Sequence, residues 1–315
     1  MQVLQEFDLN ALNREQIGRN VSVYSLIPEP KGFLVGCGLW DRVNMPHSNE
    51  VKNATPGAIL RVDQQGHLIE MSPELANIVY PLTTDPWGDL FVGCRTGAFY
   101  TMDLCLSTTH RGDVGNGVYG IEHSRSLNRF IIGGRKGTLF QFDSSWKLMA
   151  STPVSADRLW NICLDWDDRF LWATSYNGFL FKIDLLNGQV VHTSHQGAGG
   201  LTYVRRLSTG ELVIGCFAKQ LQILQGTRLR QRIQTDSPVC FIEDLPHLGV
   251  LVATGYKGQI WVFDYNGRLL DSFLGDAKEN NPIWIATRCG SPSTMAFAWA
   301  NGIIRVIDLT PCSGS

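Results

Sequence analysis

No charge of one sign dominates this chain, and no long apolar run interrupts it. Its 27 Lys and Arg residues nearly balance 29 Asp and Glu, giving a formal net charge of −2 over 315 residues. That balance excludes the basic footprint with which a nucleic-acid binder neutralises phosphates. No apolar stretch approaches the roughly 20 residues that a membrane-spanning helix needs. Met1-Gln2-Val3-Leu4-Gln5-Glu6 also lacks the basic-then-apolar pattern of a secretory leader. We therefore expect no nucleic-acid partner, no membrane association and a cytoplasmic location. The eight Cys residues contain no Cys-x-x-Cys pair, so neither a structural zinc site nor a disulfide framework is expected, and the thiols read as reduced. Cys37, Cys94 and Cys216 recur beside strand ends, where a small apolar side chain is reused. The chain has no Gly-x-Ser-x-Gly elbow, no His-Glu-x-x-His helix and no Gly-x-x-x-x-Gly-Lys loop. Gly197-Ala198-Gly199-Gly200 precedes no helical pattern and so is not a dinucleotide fingerprint. No cofactor and no metal site are expected.

What the chain does have is a beat. An Asp closes a short apolar strand at Asp63, Asp103, Asp143, Asp184, Asp264 and Asp308. The spacing is about forty residues, the signature of a propeller or solenoid. Gln225 sits on the same beat without the Asp. One clear unit reads Leu159–Leu164, then Phe170–Thr174, then Gly178–Asp184, then Val190–Thr193, with Asn187-Gly188 as a tight-turn signal between the last two strands. The second strand and its turn recur as Gly93-Cys94-Arg95-Thr96-Gly97, Gly133-Gly134-Arg135-Lys136-Gly137, Thr174–Gly178, Thr254–Gly258 and Ala298–Gly302. Gly215–Lys219 is the same turn without its final Gly, and Gly36-Cys37-Gly38 begins a seventh copy.

These units predict a single all-β domain over 1–315: a seven-bladed β-propeller of four-stranded blades. Only six fourth strands are visible, and the tail 309–315 is too short and too rich in Pro, Gly and Ser to supply the last. The N-terminal strand, about 2–8, is expected to become the outer strand of the last blade, closing the ring and removing two open edges. The repeat of apolar strand, Asp, turn and apolar strand resembles the WD-repeat and quinoprotein-like propellers across nearly the whole chain. The Trp-Asp dipeptide that names the WD family is absent from the third-strand ends, which read Val62-Asp63, Met102-Asp103, Phe142-Asp143, Ile183-Asp184, Phe263-Asp264 and Ile307-Asp308. The resemblance implies the fold, while function must come from sites grafted on it.

In such a ring the turns between second and third strands share a face with the connections between blades, and loops on a rigid scaffold carry function. One turn position holds Arg95, Arg135, Tyr176, Phe217 and Tyr256 in five consecutive blades. This arc suits an anionic or aromatic ligand; the plain alternative is a row of solvated turns. Connections between blades add Asp113, Asn116, Arg158, His195, Asp236, Glu279, Asn280 and Asn281, and they lead into Tyr80, Tyr119, Trp160 and Trp284 at the starts of first strands. Trp40 and Trp299 complete the candidate ligand-binding set. The first blade carries an insertion over about 39–56, a candidate lid containing His47 and Glu50 beside Asp41.

Two functions fit. One is a binding module that holds a small anionic or aromatic ligand, a peptide or a partner protein on the channel face. The other is a lyase, cyclase or hydrolase acting on a small metabolite in the funnel. There Arg95 and Arg135 would hold charge, Tyr176 or Tyr256 would donate a proton, and His47 or Glu50 would take one.

Overall fold

The second strand of each repeat reads as a nearly continuous apolar run because both of its faces are covered. In the second repeat every residue of Leu90–Cys94 and Ala98–Met102 is buried, whereas outer strands such as Leu148–Pro153 and Leu269–Leu274 alternate towards solvent. The computed structural model describes residues 1–41, 55–84, 87–197, 199–275 and 281–310. Its strands form seven antiparallel sheets of four strands each, and each sheet packs its inner strands on the next around a common axis. Cys37, Cys94 and Cys216 are all fully buried in these inter-blade layers, as small apolar side chains, and burial pushes each thiol up to about 12.

Ring closure follows the sequence. Gln2–Asp8 pairs antiparallel with Ile303–Asp308, with Gln2 opposite Asp308 and Asp8 opposite Ile303, and completes the sheet begun by Ile283–Arg288 and Thr294–Trp299. An element without a strong sequence signal follows it: the helix Leu9–Ile17. The Asp8 carboxylate accepts from the N–H groups of Asn10 and Ala11, and Gly18 ends the helix in the left-handed region at φ 70°. Two asparagines then fasten the seam. Asn10 donates to the Asn301 carbonyl at 2.7 Å in the last blade and accepts from Val21 N–H in the first. Asn13, buried, donates to the Gly66 carbonyl at 2.8 Å and accepts from Leu68 N–H at 2.7 Å.

The recurring Asp works as a turn anchor. One carboxylate oxygen of Asp63, Asp103 and Asp143 each accepts two backbone N–H groups of the following turn, at 2.8–3.0 Å. Gln225 escapes the requirement because its turn is shorter: Gln225 faces Arg228 directly, with Gly226 at φ 60° between them. The insertion in the first blade begins later than expected, since the second strand runs Gly32–Trp40 and Leu39 N–H bonds the Pro56 carbonyl at 2.9 Å. His47 and Glu50 lie outside the described residues.

Candidate functional site

Every innermost strand carries a β-bulge near its start. The register slips between Val23 and Ser25, Val79 and Leu82, Val118 and Gly120, Leu159 and Asn161, Leu201 and Tyr203, Val239 and Phe241, and Ile283 and Ile285. The extra residue of a bulge leaves the ladder and re-aims its side chain. Here those residues are Tyr24, Tyr80, Tyr119, Trp160, Thr202, Cys240 and Trp284, and all seven line a central cavity of about 430 Å³. Rings stand in contact around it: Tyr24 to Tyr80 at 5.0 Å, Tyr80 to Tyr119 at 5.2 Å, and Tyr119 stacked on Trp160 at 5.3 Å.

The turn position predicted as an arc is drawn to this collar by the backbone. Arg95, Arg135, Tyr176, Phe217 and Tyr256 each donate their N–H to the carbonyl two residues before the bulge residue of the same blade, at Ile78, Gly117, Arg158, Gly200 and Pro238, over 2.7–3.1 Å. Two sequence patterns therefore converge on one rim. Tyr176 and Phe217 contact each other at 5.4 Å and both contact Trp160, while Tyr256 meets Trp284 edge-on at 5.7 Å. In the two blades whose bulge residue is small, Thr202 and Cys240, the turn supplies the ring instead, as Phe217 and Tyr256. Trp40, 4% exposed, packs with Tyr24, Tyr80 and Trp284 behind the rim.

Cations stand on one side of the collar. Arg95 donates to the Tyr80 hydroxyl at 3.0 Å, and the Arg158 guanidinium lies 4.5 Å from the Tyr176 ring centre and 5.6 Å from that of Trp160. Arg95, Arg135, Lys136 and Arg158 line an adjoining pocket of about 390 Å³ whose one carboxylate among the described residues is Asp157, 3.7 Å from Arg158. Three buried donors, Tyr119 Oη, Trp40 Nε1 and Trp284 Nε1, have no hydrogen-bond partner among the described residues. Burial pushes the Tyr80 phenol up to about 12 and also raises Tyr256, so both are neutral hydrogen-bonding groups at ordinary pH.

Other predicted residues fall elsewhere. Trp299 is 2% exposed and packs between the last two blades with the Arg305 guanidinium 4.8 Å from its ring centre, away from the cavity. Asp113 serves the backbone of its own connection, accepting from Gly115 N–H, whereas Asn116 lines the cation pocket and accepts from Lys136 N–H in the neighbouring turn. His195 lies edge-on to Phe179 at 4.8 Å. Asp41 pairs with Arg19 at 3.3 Å. Glu279 and Asn280 lie outside the described residues. Among those described, no group of His, Cys, Asp and Glu residues is placed to hold a metal ion, and no helix is long and apolar enough to cross a membrane. Sequence reading missed Tyr24, because its strand, Asn20–Glu29, is longer than its counterparts and hides the bulge. It also missed the charged residues deeper in the channel, Glu122, Arg205 and Glu243; the usable signal is their common spacing, three residues beyond each bulge.

The fold and its axial channel define a seven-bladed β-propeller. No protein-family model and no curated protein matches the chain in sequence. Among solved structures it is similar to the crystal structure of the WD40 β-propeller domain of Doa1, with a TM-score of 0.75 and 12% identity, covering 97% of this chain and 96% of that one. At that identity the likeness is one of fold.

Proposed function

We propose that the chain is a binding module that receives an anionic, ring-bearing ligand on the collar, either a segment of a peptide or protein or a small molecule of the same chemistry. The observation that carries this reading is the juxtaposition of a near-continuous aromatic rim with a pocket of four cations. Flat rings offer apolar contact at low entropic cost, and guanidinium forks match carboxylate or phosphate oxygens. The orphaned donors of Tyr119 and Trp284 are groups that a ligand with acceptor atoms would satisfy, and leaving them unmade is costly. The lyase, cyclase or hydrolase alternative needs a base, and the residues it rested on, His47 and Glu50, lie outside the described residues.

A thermal-shift screen of acidic peptides, aromatic carboxylates and aromatic phosphates tests the reading. Ligands carrying both an anion and a ring are expected to raise the melting temperature. Arg95→Ala combined with Arg135→Ala should abolish that shift. Arg135→Ala alone, which removes no described ion pair, should weaken binding about tenfold. A shift that survives the double change would return the arc to a row of turns.

A further inference from the structure

Below the collar the channel changes character. Three residues beyond six of the seven bulges the strands place Thr83, Glu122, Cys163, Arg205, Glu243 and Thr287 on the cavity wall. Arg205 and Arg288 both pair with Glu243, at 3.0 and 2.8 Å, and Glu122 is left without an ion pair among the described residues. Glu122 also lines a second pocket of about 210 Å³, which lies between the second and third blades at the face opposite the collar. Phe91 and Phe130 form its apolar walls, and Thr83, Thr84, His123 and Arg125 complete it. Trp87 stands beside it, edge-on to His123 at 5.6 Å and 63% exposed. Across the third blade stands Trp166, 65% exposed. Its loop is tied to that blade by Asp168, which accepts from the Ser124 hydroxyl at 2.8 Å and from Arg125 N–H at 3.2 Å.

We propose that this lower pocket takes the guanidinium or ammonium group of an arginine or lysine side chain presented by a partner protein, with the Glu122 carboxylate as counter-ion and the rings of Phe91, Phe130 and Trp87 around its aliphatic stem. Charge complementarity selects this occupant. Glu122 makes no ion pair among the described residues, Asp168 adds negative potential beside it, and aromatic faces attract cations. The groups facing Glu122 are Arg205 across the channel, Asp168 from the next blade, the Leu164 N–H, and His123 and Arg125 along its own strand and turn. Burial outweighs the Arg205 charge and raises the carboxyl to about 7, so a bound cation would offset a desolvation cost the fold already bears. The two exposed tryptophans flanking the site are the anchor type that protein interfaces use, which favours a side chain on a protein over a free amine. The site lies on the face opposite the collar and does not depend on the proposed anion binding there.

The test compares two acetylated, amidated tripeptides, Gly-Arg-Gly and its citrulline analogue, which keeps the shape but loses the charge and exchanges one donating nitrogen for an accepting oxygen. Binding is followed by tryptophan fluorescence and confirmed by calorimetry. The arginine peptide should bind the wild-type protein at least about tenfold more tightly than the citrulline peptide, and Glu122→Gln should remove that preference. Affinity should rise from about pH 6 to about pH 8 as the carboxylate ionises. Equal binding of the two peptides, an unchanged preference in Glu122→Gln, or no binding up to about 10 mM would overturn the proposal. The wild-type peptide comparison needs no variant, so the test stands even if a substitution perturbs folding.

Discussion

The two ends of the channel are built from the same seven strands, yet they present opposite chemistry. At the upper end, bulge residues and turns assemble rings with cations beside them; at the lower end, three residues further along the same strands, carboxylates and guanidinium groups meet with one carboxylate left over. Since the scaffold is common to both, the difference lies in side chains alone. A repeat fold of this kind fixes where side chains point, and each level along the axis is free to carry its own chemistry.

The largest expected effect tests whether the two ends share one support. Deleting residues 1–9 removes the outer strand of the last blade together with Phe7 and Leu9, which are 5% and 0% exposed. Loss of their burial alone costs about 3–6 kcal/mol, and the deletion reopens a sheet edge as well. The melting temperature should fall steeply, and ligand shifts at the collar and peptide binding below should disappear together. An unchanged melt would refute closure by this strand, whereas survival of one site without the other would show that the two ends are held independently.

A smaller effect separates the ends by pH. The Glu122 carboxyl is raised from 4.5 to about 7 in the folded chain. The stability that its protonated form contributes is therefore fully present below about pH 4.5 and is lost as pH rises through about 7. Glu122→Gln cannot ionise, so its stability relative to wild type should climb across that window and reach on the order of 3 kcal/mol by about pH 8. Melting curves at a series of pH values measure this, and a difference that stays flat would contradict a desolvated carboxyl. Turn anchors such as Asp143 and Asp308 titrate in the opposite sense. Hydrogen bonds from Ser145 Oγ and from Thr310 N–H hold them below the usual carboxylate range, so what they contribute is lost on acidification. Collar binding should be indifferent to Glu122→Gln.

Much of the upper end was legible in the chain, because each of its parts sits at a repeated position. The Asp beat located third strands, the small residue before each turn located Arg95 through Tyr256, and Tyr80, Tyr119, Trp160 and Trp284 were visible as strand openers. What the sequence hid was that these two sets touch. Their meeting depends on a bulge, which leaves no mark in an alternating apolar pattern, and on N–H bonds from turn to strand start such as Arg95 to Ile78. The lower end was illegible for a different reason. Glu122, Arg205 and Glu243 lie on separate blades, and only ring closure brings them to one level of the channel. The helix Leu9–Ile17 escaped notice because it buries just Leu9 and Asn13; side-chain amides fasten it more than apolar packing does.

The smallest effect confines a change to the upper end. Five turns beneath the collar face end in Gly97, Gly137, Gly178, Gly258 and Gly302, all at positive φ, and the sixth reaches φ 59° with Lys219. A side chain in the left-handed region costs about 1–2 kcal/mol, while glycine gives back about 0.5–1 kcal/mol through the freer unfolded chain. Lys219→Gly should therefore stabilise the protein by about 0.5–1 kcal/mol, a rise of roughly 1–3 °C in melting temperature for a chain of this size. Because this turn carries Phe217 against Trp160, the variant should leave ring contacts in place and alter nothing at Glu122. A lowered melting temperature would mean that the Lys219 side chain makes contacts worth more than its strained backbone costs.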